Sequence, residues 1–307
     1  MLGCPQLIFL RTNYEAEPGF KENGEVNLMN QSEQRMGIFF VVLSAITFST
    51  AGLFTKGVAA EAWDVIFWRG VFAAAFTVAW LMKRGTLKQN FYELGSSGFA
   101  VAVIGAMGTA AFISSFKLTS IANVSLIYAI SPLIAALLAW IAIGEKISFR
   151  TMVGCLGALF GVGIIVSGSL GHINFVGDLL ALFMSIVMAS IMVIYRKYPE
   201  TPGAGPAVLS SILLLPFAGL YGNPMAVEPT EILVLSSFGL LFAIASVTLA
   251  EGAKRIPSGQ TALLSSLETP LALVFAFILF AEVPNIATFI GGLLVLLAVL
   301  GSIKMKH

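Results

Sequence analysis

The second half of this chain contains the stretch Ile256-Pro-Ser-Gly-Gln-Thr-Ala-Leu-Leu-Ser-Ser-Leu-Glu268-Thr269-Pro270, and the first half contains a related one, Ile121-Ala-Asn-Val-Ser-Leu-Ile-Tyr-Ala-Ile-Ser131-Pro132. Each stretch continues into a long apolar run that ends near an acidic residue, Glu145 in the first copy and Glu282 in the second. The distance from the proline to this glutamate is the same in both copies to within one residue. A repeat over half the chain predicts a protein built from two related bundles of helices.

The composition indicates that lipid, rather than water, surrounds most of this protein. Hydrophobic residues make up 58% of the 307 residues, charged residues only 11%, and the mean hydropathy is +0.93. A water-soluble domain carries roughly a quarter charged residues. A membrane-spanning helix needs about 20 apolar residues, and the sequence offers ten such segments: 36–54, 63–81, 98–116, 124–143, 151–167, 177–195, 206–221, 232–250, 259–280 and 287–303. The predicted fold is an all-α integral membrane protein with ten transmembrane helices.

The basic residues predict the orientation, because cytoplasmic loops of membrane proteins collect lysine and arginine. If the N-terminus is cytoplasmic and the ten spans alternate, the outside loops hold only Lys56 and Lys117. The cytoplasmic segments then hold Arg35, Lys83, Arg84, Lys88, Lys146, Arg150, Arg196, Lys197, Lys254, Arg255, Lys304 and Lys306. We therefore expect a multi-pass protein of the cell (inner) membrane with both termini in the cytoplasm.

Residues 1–35 differ from the rest because they are polar and lack a helical period. We expect them to form a cytoplasmic tail, either disordered or over-translated sequence ahead of the true start. Two cysteines, Cys4 and Cys155, and two histidines, His172 and His307, cannot assemble a metal site, and no disulfide is expected.

A glycine-rich stretch near residue 170 divides the chain into two five-helix repeats, residues 36–168 and residues 177–303. Five is an odd number, so the second repeat must enter the membrane from the opposite side. Such inverted repeats allow alternating access, in which a central site opens first to one face of the membrane and then to the other.

Several short motifs occur in a fixed order: Trp68-Arg69, Ser131-Pro132 with Gly144-Glu145, Gly177-Asp178, and Leu267-Glu268-Thr269-Pro270 with Glu282-Val-Pro284. In their order, spacing and duplication they resemble the ten-span drug/metabolite transporter superfamily, in particular its EamA-type members, over residues 36–303. The sequence departs from the family pattern at Ala281-Glu282, where Gly-Glu is expected. The resemblance implies a fold shared by transporters of very different solutes, so it leaves the substrate open.

Glu268 is the strongest candidate for a functional group inside the bilayer. It lies about nine residues into the ninth span, ~13 Å deep at 1.5 Å per residue, where ionisable groups usually face a cavity or a partner. Thr261 and Ser265 precede it at helical spacing with Gln260 beside them, which predicts a polar, substrate-binding stripe. The alternative role is structural, in which a protonated Glu268 satisfies backbone groups freed by Pro270.

The fourth span carries a corresponding polar set, Asn123, Tyr128 and Ser131, followed by Pro132. Helices interrupted at matching positions of two repeats point to a central site. We therefore expect Pro132 and Pro270 to kink their helices there, and the three polar residues to bind substrate. The alternative is that these side chains hold helices together by hydrogen bonds.

Arg69 lies about two turns inside the second span. A buried guanidinium needs an anion, so it is predicted to bind substrate or a carboxylate such as Glu268 or Asp178. The alternative is that its side chain extends outward to Glu61 or Asp64.

The sequence therefore predicts a secondary active transporter that moves small organic metabolites, such as amino acids, drugs or related solutes, by alternating access. One version is proton-coupled through Glu268, and the alternative is a gradient-driven facilitator or exchanger. An intramembrane enzyme or a channel is less favoured, since no nucleophile with a base, no metal-ligand cluster and no phosphate-binding loop occurs in the sequence. The expected partners are a small-molecule solute, protons and the lipid bilayer, without catalytic residues, cofactor or nucleic acid; the oligomeric state stays open.

Overall fold

The computed structural model describes residues 22–119, 121–167, 174–280 and 286–302, and these ranges contain helices but no β-strand. The helices are α1 (Glu22–Phe48), α2 (Ala51–Lys56), α3 (Ala62–Lys83), α4 (Leu87–Tyr92), α5 (Gly95–Leu118), α6 (Ile121–Tyr128), α7 (Ser131–Ile143), α8 (Phe149–Ser167), α9 (Phe175–Lys197), α10 (Ala204–Tyr221), a 3₁₀ turn (Pro224–Ala226), α11 (Pro229–Arg255), α12 (Ser258–Ser265), α13 (Glu268–Phe280) and α14 (Ile286–Ser302). Helix α1 begins inside the stretch predicted to be a tail, and residues 1–21 lie outside the described residues.

Seven helical segments of the described chain are long and apolar enough to cross a membrane. They are Gln31–Lys56, Ala62–Lys83, Gly95–Leu118, Asn123–Ile143, Phe175–Lys197, Ala204–Tyr221 and Pro229–Arg255. Two shorter apolar helical segments, Phe149–Ile165 and Phe289–Gly301, accompany them. The prediction of an all-helical membrane protein is thereby confirmed, whereas the count of ten spans stays a prediction.

Two of the predicted spans are each built from a pair of helices separated by two residues. Helices α6 and α7 form the first pair, and α12 and α13 form the second. The break in the second pair follows the break in the first at one constant offset: 128 and 265 on one side of it, 131 and 268 on the other. The repeat in the sequence is therefore also a repeat of the helix break.

Both prolines of the repeat lie in the first turn of the second helix of their pair. Pro132 is the second residue of α7 and Pro270 the third residue of α13, so the two prolines differ by one position in their helices. A first-turn position does not need the N–H that proline lacks. In both copies the helix is interrupted for two residues just before the proline, which is where the sequence predicts the kinks; the kinks themselves stay a prediction.

The first pair ends in a glycine cap. Gly144 has a φ of +67°, and its N–H returns to the carbonyl of Trp140 at 3.0 Å. Glycine reaches this left-handed conformation without strain, so it stops α7 and turns the chain towards Glu145. The corresponding end of the second pair, with Ala281 and Glu282, lies outside the described residues.

Ion pairs and polar contacts join one end of the bundle, which we call the basic end. Glu145 accepts from Arg196 Nε at 3.3 Å with one oxygen and from the Ser258 N–H at 3.1 Å with the other. Glu251 binds Lys254 and Arg255, at 2.7 and 2.8 Å, as the spacing of these residues suggests. These contacts connect the end of α7 to the ends of α9 and α11 and to the first residue of α12.

At the opposite end of the bundle, lysines bind backbone carbonyls of neighbouring loops. Lys56 Nζ donates to the Thr119 carbonyl at 3.1 Å, and Lys117 Nζ donates to the Val58 carbonyl at 3.0 Å. Glu231 accepts from two successive N–H groups of residues 59 and 60. Each end of the bundle is therefore closed by short polar contacts around an apolar middle.

The outer surface of the bundle is apolar. Trp140, Phe160 and Leu300 are 61%, 68% and 64% exposed. Large apolar side chains in such numbers are stable only against lipid. Inside, α8 packs closely on α14, because Gly161 and Gly291 bring the two backbones into contact where a Cβ would not fit.

Candidate solute-binding site

A cavity lies in the middle of the bundle among α5, α9, α10 and α11, with about 740 Å³ of space that protein atoms do not occupy, part of it open to the outside. Large apolar or aromatic residues form most of its wall: Phe48, Phe112, Met184, Met188, Tyr195 and Phe242. Gly105 and Gly108 of α5 also line it, and Gly108 lets α5 pack against α9, because a Cβ there would lie 2.6 Å from the Val187 side chain. We call this space the central cavity.

Glu268, the first residue of α13, is the one charged residue among the described residues of the central-cavity wall. The same residue also borders a second, smaller space of about 360 Å³. We call this space the polar chamber, because hydroxyl groups line it together with the carboxyl: Ser49, Ser125, Tyr128 and Thr269. Glu268 thus separates an apolar cavity from a polar one.

Three helix breaks meet at the polar chamber. Ser49 lies in the break between α1 and α2, Tyr128 is the last residue of α6, and Glu268 is the first residue of α13. A break leaves backbone polar groups without intrahelical partners, which makes such a point suitable for polar ligands in a membrane protein. The repeat and the α1–α2 break therefore bring together polar groups from both halves of the sequence.

Neither of the two principal polar groups of this chamber is satisfied by protein. Glu268 takes part in none of the ion pairs found among the described residues, all of which lie at the basic end. Tyr128 is 6% exposed, and within the described chain its hydroxyl has no hydrogen-bond partner. Buried polar atoms normally have partners, so these two groups are available to bind a ligand.

Arg69 is almost completely buried and stacks on aromatic rings. Its side chain is 1% exposed, and its guanidinium carbon lies 3.8 Å from the centre of the Phe242 ring and 5.8 Å from that of Phe238. Its Nε and Nη1 groups donate to no acceptor among the described residues. Phe242 stands between this cation and the central cavity, since it belongs to the cavity wall and Arg69 does not.

None of the carboxylates that the sequence suggested for Arg69 pairs with it in this conformation. Asp64 instead accepts from the Asn223 N–H at 2.6 Å, and Asp178 accepts from the Thr119 hydroxyl at 3.0 Å. The two aromatic partners, Phe238 and Phe242, are one helical turn apart on α11. The sequence did not single them out, because most of the residues around them are also apolar. Gly239, between them, lets α11 approach α3, because a Cβ there would lie 2.9 Å from the Arg69 carbonyl oxygen.

The structure separates the members of the polar stripe predicted on the ninth span. Thr261 and Ser265 are buried and donate their hydroxyls to carbonyls of their own span, at 3.1 and 3.0 Å. Gln260 lines a different space of about 670 Å³ at the basic end, beside Glu145. Of the four residues, Glu268 alone borders the central cavity. Two residues that belong to neither helix separate α12, which holds Thr261 and Ser265, from α13, which begins at Glu268.

The polar set of the fourth span is divided in a similar way. Tyr128 lines the polar chamber, whereas Ser131, which is buried at the start of α7 near the Tyr128 hydroxyl, lines neither space. Asn123 donates to the Thr119 hydroxyl at 3.2 Å, which itself donates to Asp178. This short network connects α6 to the start of α9.

The aromatic and methionine wall of the central cavity was missed at the level of sequence. Phe48, Phe112 and Phe242 come from three different helices, and each is surrounded by other apolar residues in the sequence. In a chain with 58% hydrophobic residues, lipid-facing, core and cavity positions look alike. Only packing distinguishes them.

A multi-pass helical membrane protein with an apolar internal cavity bordered by one carboxyl group is the class that this fold and site define. The chain belongs to the EamA-like transporter family, whose family model matches it twice, over residues 35–167 and 175–304. The resemblance read from the motifs is confirmed: the protein is a membrane transporter of small solutes and not an enzyme.

Individual relatives are distant but nearly full-length. Solute carrier family 35 member G1 of Homo sapiens is 24% identical over 299 residues, covering 88% of this chain and 80% of that protein. The uncharacterized transporter YyaM of Bacillus subtilis (strain 168) is 24% identical over 281 residues, covering 85% and 90%. A solved crystal structure of a protein has the same fold, with a TM-score of 0.73 at 20% identity, over 87% of this chain and 96% of its own.

Proposed function

We propose that this protein is a secondary active transporter that carries small organic solutes through the central cavity by alternating access, with Glu268 as the group that couples transport to protons. The observation that carries the proposal is the position of Glu268 on the border of both spaces. A carboxyl group placed there can meet a solute on one side and exchange a proton on the other. Ionisable groups of this kind inside a membrane commonly mark proton relays.

The proposed scaffold has ten spans in two inverted repeats, residues 36–168 and 177–303, in the cell (inner) membrane. The matching bounds of the α6–α7 and α12–α13 pairs support the repeat, and the charge bias between the loops supports cytoplasmic termini. Reporter fusions after Lys88, Arg150, Arg196 and Arg255 should report cytoplasm, and fusions after Ala60, Lys117, His172 and Asn223 the opposite side. A cytoplasmic signal after His172 would remove the inversion.

We further propose that Arg69 acts in a second conformation. Two of its N–H donors have no acceptor among the described residues, and leaving buried donors unpaired costs about 1–3 kcal/mol each. A conformation in which the guanidinium reaches a carboxylate or a solute oxygen would recover that free energy. Among the other predicted residues, Tyr128 is proposed to contact the bound ion or solute, and Asn123, Ser131, Gln260, Thr261 and Ser265 to shape the helices around the site.

The transport proposal is tested with purified protein in proteoliposomes. A metabolite and amino-acid library is first screened by thermal shift, and each stabilising compound is then measured for counterflow and for uptake with and without an imposed pH gradient. We expect saturable counterflow and gradient-driven accumulation. Counterflow without any response to the gradient would favour a facilitator or exchanger, and flux without counterflow would favour a channel.

A further inference from the structure

We propose that the solutes of the central cavity are apolar amines, that is, organic molecules with an apolar body and one positively charged nitrogen held by Glu268. This inference rests on the proposed transport function and specifies its substrate class. It follows from the chemistry of the cavity wall, from the unpaired carboxyl on that wall, and from the position of the buried Arg69.

The wall of the central cavity selects for an apolar body. Aromatic, methionine and aliphatic side chains together form the larger part of it, and the uncharged polar groups on it are few, chiefly Thr109, Ser246 and Tyr195. A solute rich in hydroxyl or phosphate groups would lose its hydration there without equivalent hydrogen bonds, which is costly. Met184 and Met188 add adaptable surface, since the thioether chain fits solutes of different shapes.

The one charge on the described wall selects for a cation. Glu268 borders the cavity, and within the described chain it has no arginine or lysine to neutralise it. A charged hydrogen bond between an ammonium group and a carboxylate is among the stronger contacts available in a low-dielectric site. Phe112 lies beside Glu268 around both spaces, and the face of an aromatic ring attracts a cation.

The buried arginine does not reverse this selection. Arg69 lies behind the ring of Phe242, which its guanidinium approaches to 3.8 Å, and it is not part of the cavity wall. A solute carboxylate in the cavity would therefore meet apolar atoms and the like-charged Glu268. Acidic and zwitterionic solutes are accordingly disfavoured relative to a simple amine.

An isosteric series tests the proposal on the wild-type protein without any substitution. Tryptamine, tryptophol and indole-3-acetate share one ring system and differ at the end of a short chain, which is cationic, neutral or anionic, and tryptophan adds the zwitterion. Their affinities are measured by competition against radiolabelled tryptamine on purified protein. We expect tryptamine to bind about tenfold or more tighter than tryptophol, as a charged hydrogen bond allows, and the two carboxylates to bind most weakly.

Two variants assign the preference to the carboxyl. Glu268→Gln should bring tryptamine and tryptophol to within about twofold of each other, because the neutral amide cannot hold an ammonium by charge. Glu93→Gln is the matched control, since Glu93 is exposed near the basic end and hydrogen-bonds Gln89, and it should keep the wild-type order. If Glu268→Gln does not fold, the wild-type series still decides.

Equal affinity for tryptamine and tryptophol would overturn the amine class, and so would tighter binding of indole-3-acetate or of tryptophan, which would point to Arg69 instead. Failure of all four compounds to bind would overturn it too. In each of these cases, saturable counterflow of any library compound would still support the transport function. A folded protein that shows no counterflow with any solute would contradict the transport proposal itself.

Discussion

The pairs α6–α7 and α12–α13 have the same backbone plan and different chemistry. In both, two residues interrupt the helix, and the break in the second pair keeps a constant offset from the break in the first, 265 and 268 against 128 and 131. At the first residue of the second helix, however, one pair has Ser131 and the other has Glu268. The repeat thus builds two equivalent breaks, and only one of them carries a charge.

The comparison teaches that symmetry of the scaffold does not require symmetry of the site. Ser131 is buried and lines neither space, whereas Glu268 borders both. The first pair contributes instead Tyr128, the last residue before its break, which lines the polar chamber. A single carboxyl has one charge to neutralise, so it can hold one positive partner at a time, as a coupled transporter requires.

Glu268→Gln should have the largest effect on transport, because it removes the charge that distinguishes the second break from the first. The amide keeps the shape of the side chain but cannot release a proton. We expect gradient-driven uptake into proteoliposomes to fall about tenfold or more, while counterflow of a neutral solute persists. Glu93→Gln serves as the control. Undiminished accumulation in Glu268→Gln would mean that the charge at the second break has no coupling role.

Arg69→Met removes a buried charge that lies in α3 and therefore in neither helix pair. Methionine fills the apolar surroundings of Phe238 and Phe242 and removes two unsatisfied donors. The variant should therefore unfold at a temperature about 2–4 °C higher than wild type. Its transport should fall about tenfold, because no guanidinium remains to act in the proposed second conformation.

The control for this variant is Arg150→Lys, an exposed position that should change neither quantity. A stabilised Arg69→Met protein that transports normally would assign Arg69 to structure alone. A destabilised one would show that the guanidinium already has acceptors in this conformation.

Glu145→Gln should have a smaller effect. Glu145 lies just beyond the end of α7, the second helix of the first pair. Glu145 joins Arg196 to the first N–H of α12, so it connects the two pairs directly at the basic end. The amide retains an acceptor for one contact but loses the ion pair, which is partly exposed and worth about 0–1 kcal/mol. We expect a two- to fivefold increase in the labelling rate of a cysteine placed at Gln260. No increase would mean that this contact does not hold the basic end closed.

The smallest effects are expected from Thr261→Ala and Ser265→Ala in the second pair. Their hydroxyls donate to carbonyls of their own span and face neither space, so uptake should stay within about twofold of wild type. Tyr128→Phe, which removes an unpaired hydroxyl from the polar chamber, should lower uptake more than either. If Thr261→Ala or Ser265→Ala lowered uptake more than Tyr128→Phe does, the result would support the substrate-binding stripe predicted from the sequence.

Much of the scaffold was predictable from the sequence by itself. Apolar segments of about 20 residues, the repeat around Pro132 and Pro270, and the clusters of lysine and arginine are local features of the sequence, and the bilayer acts on each of them directly. Glu268 stood out for the same reason, since a carboxyl within an apolar segment is rare and costly.

The tertiary structure alone decided which residues share a space. Thr261 and Ser265 line neither space, whereas Glu268, beyond the two-residue break, borders both, although all three fit one face of a continuous helix. The cavity wall draws Phe48, Phe112 and Phe242 from three helices, and in so apolar a sequence each is indistinguishable from a residue that faces lipid. Arg69 was recognisable as buried, but its aromatic neighbours were not. Periodicity describes one helix, whereas a cavity depends on how several helices pack together.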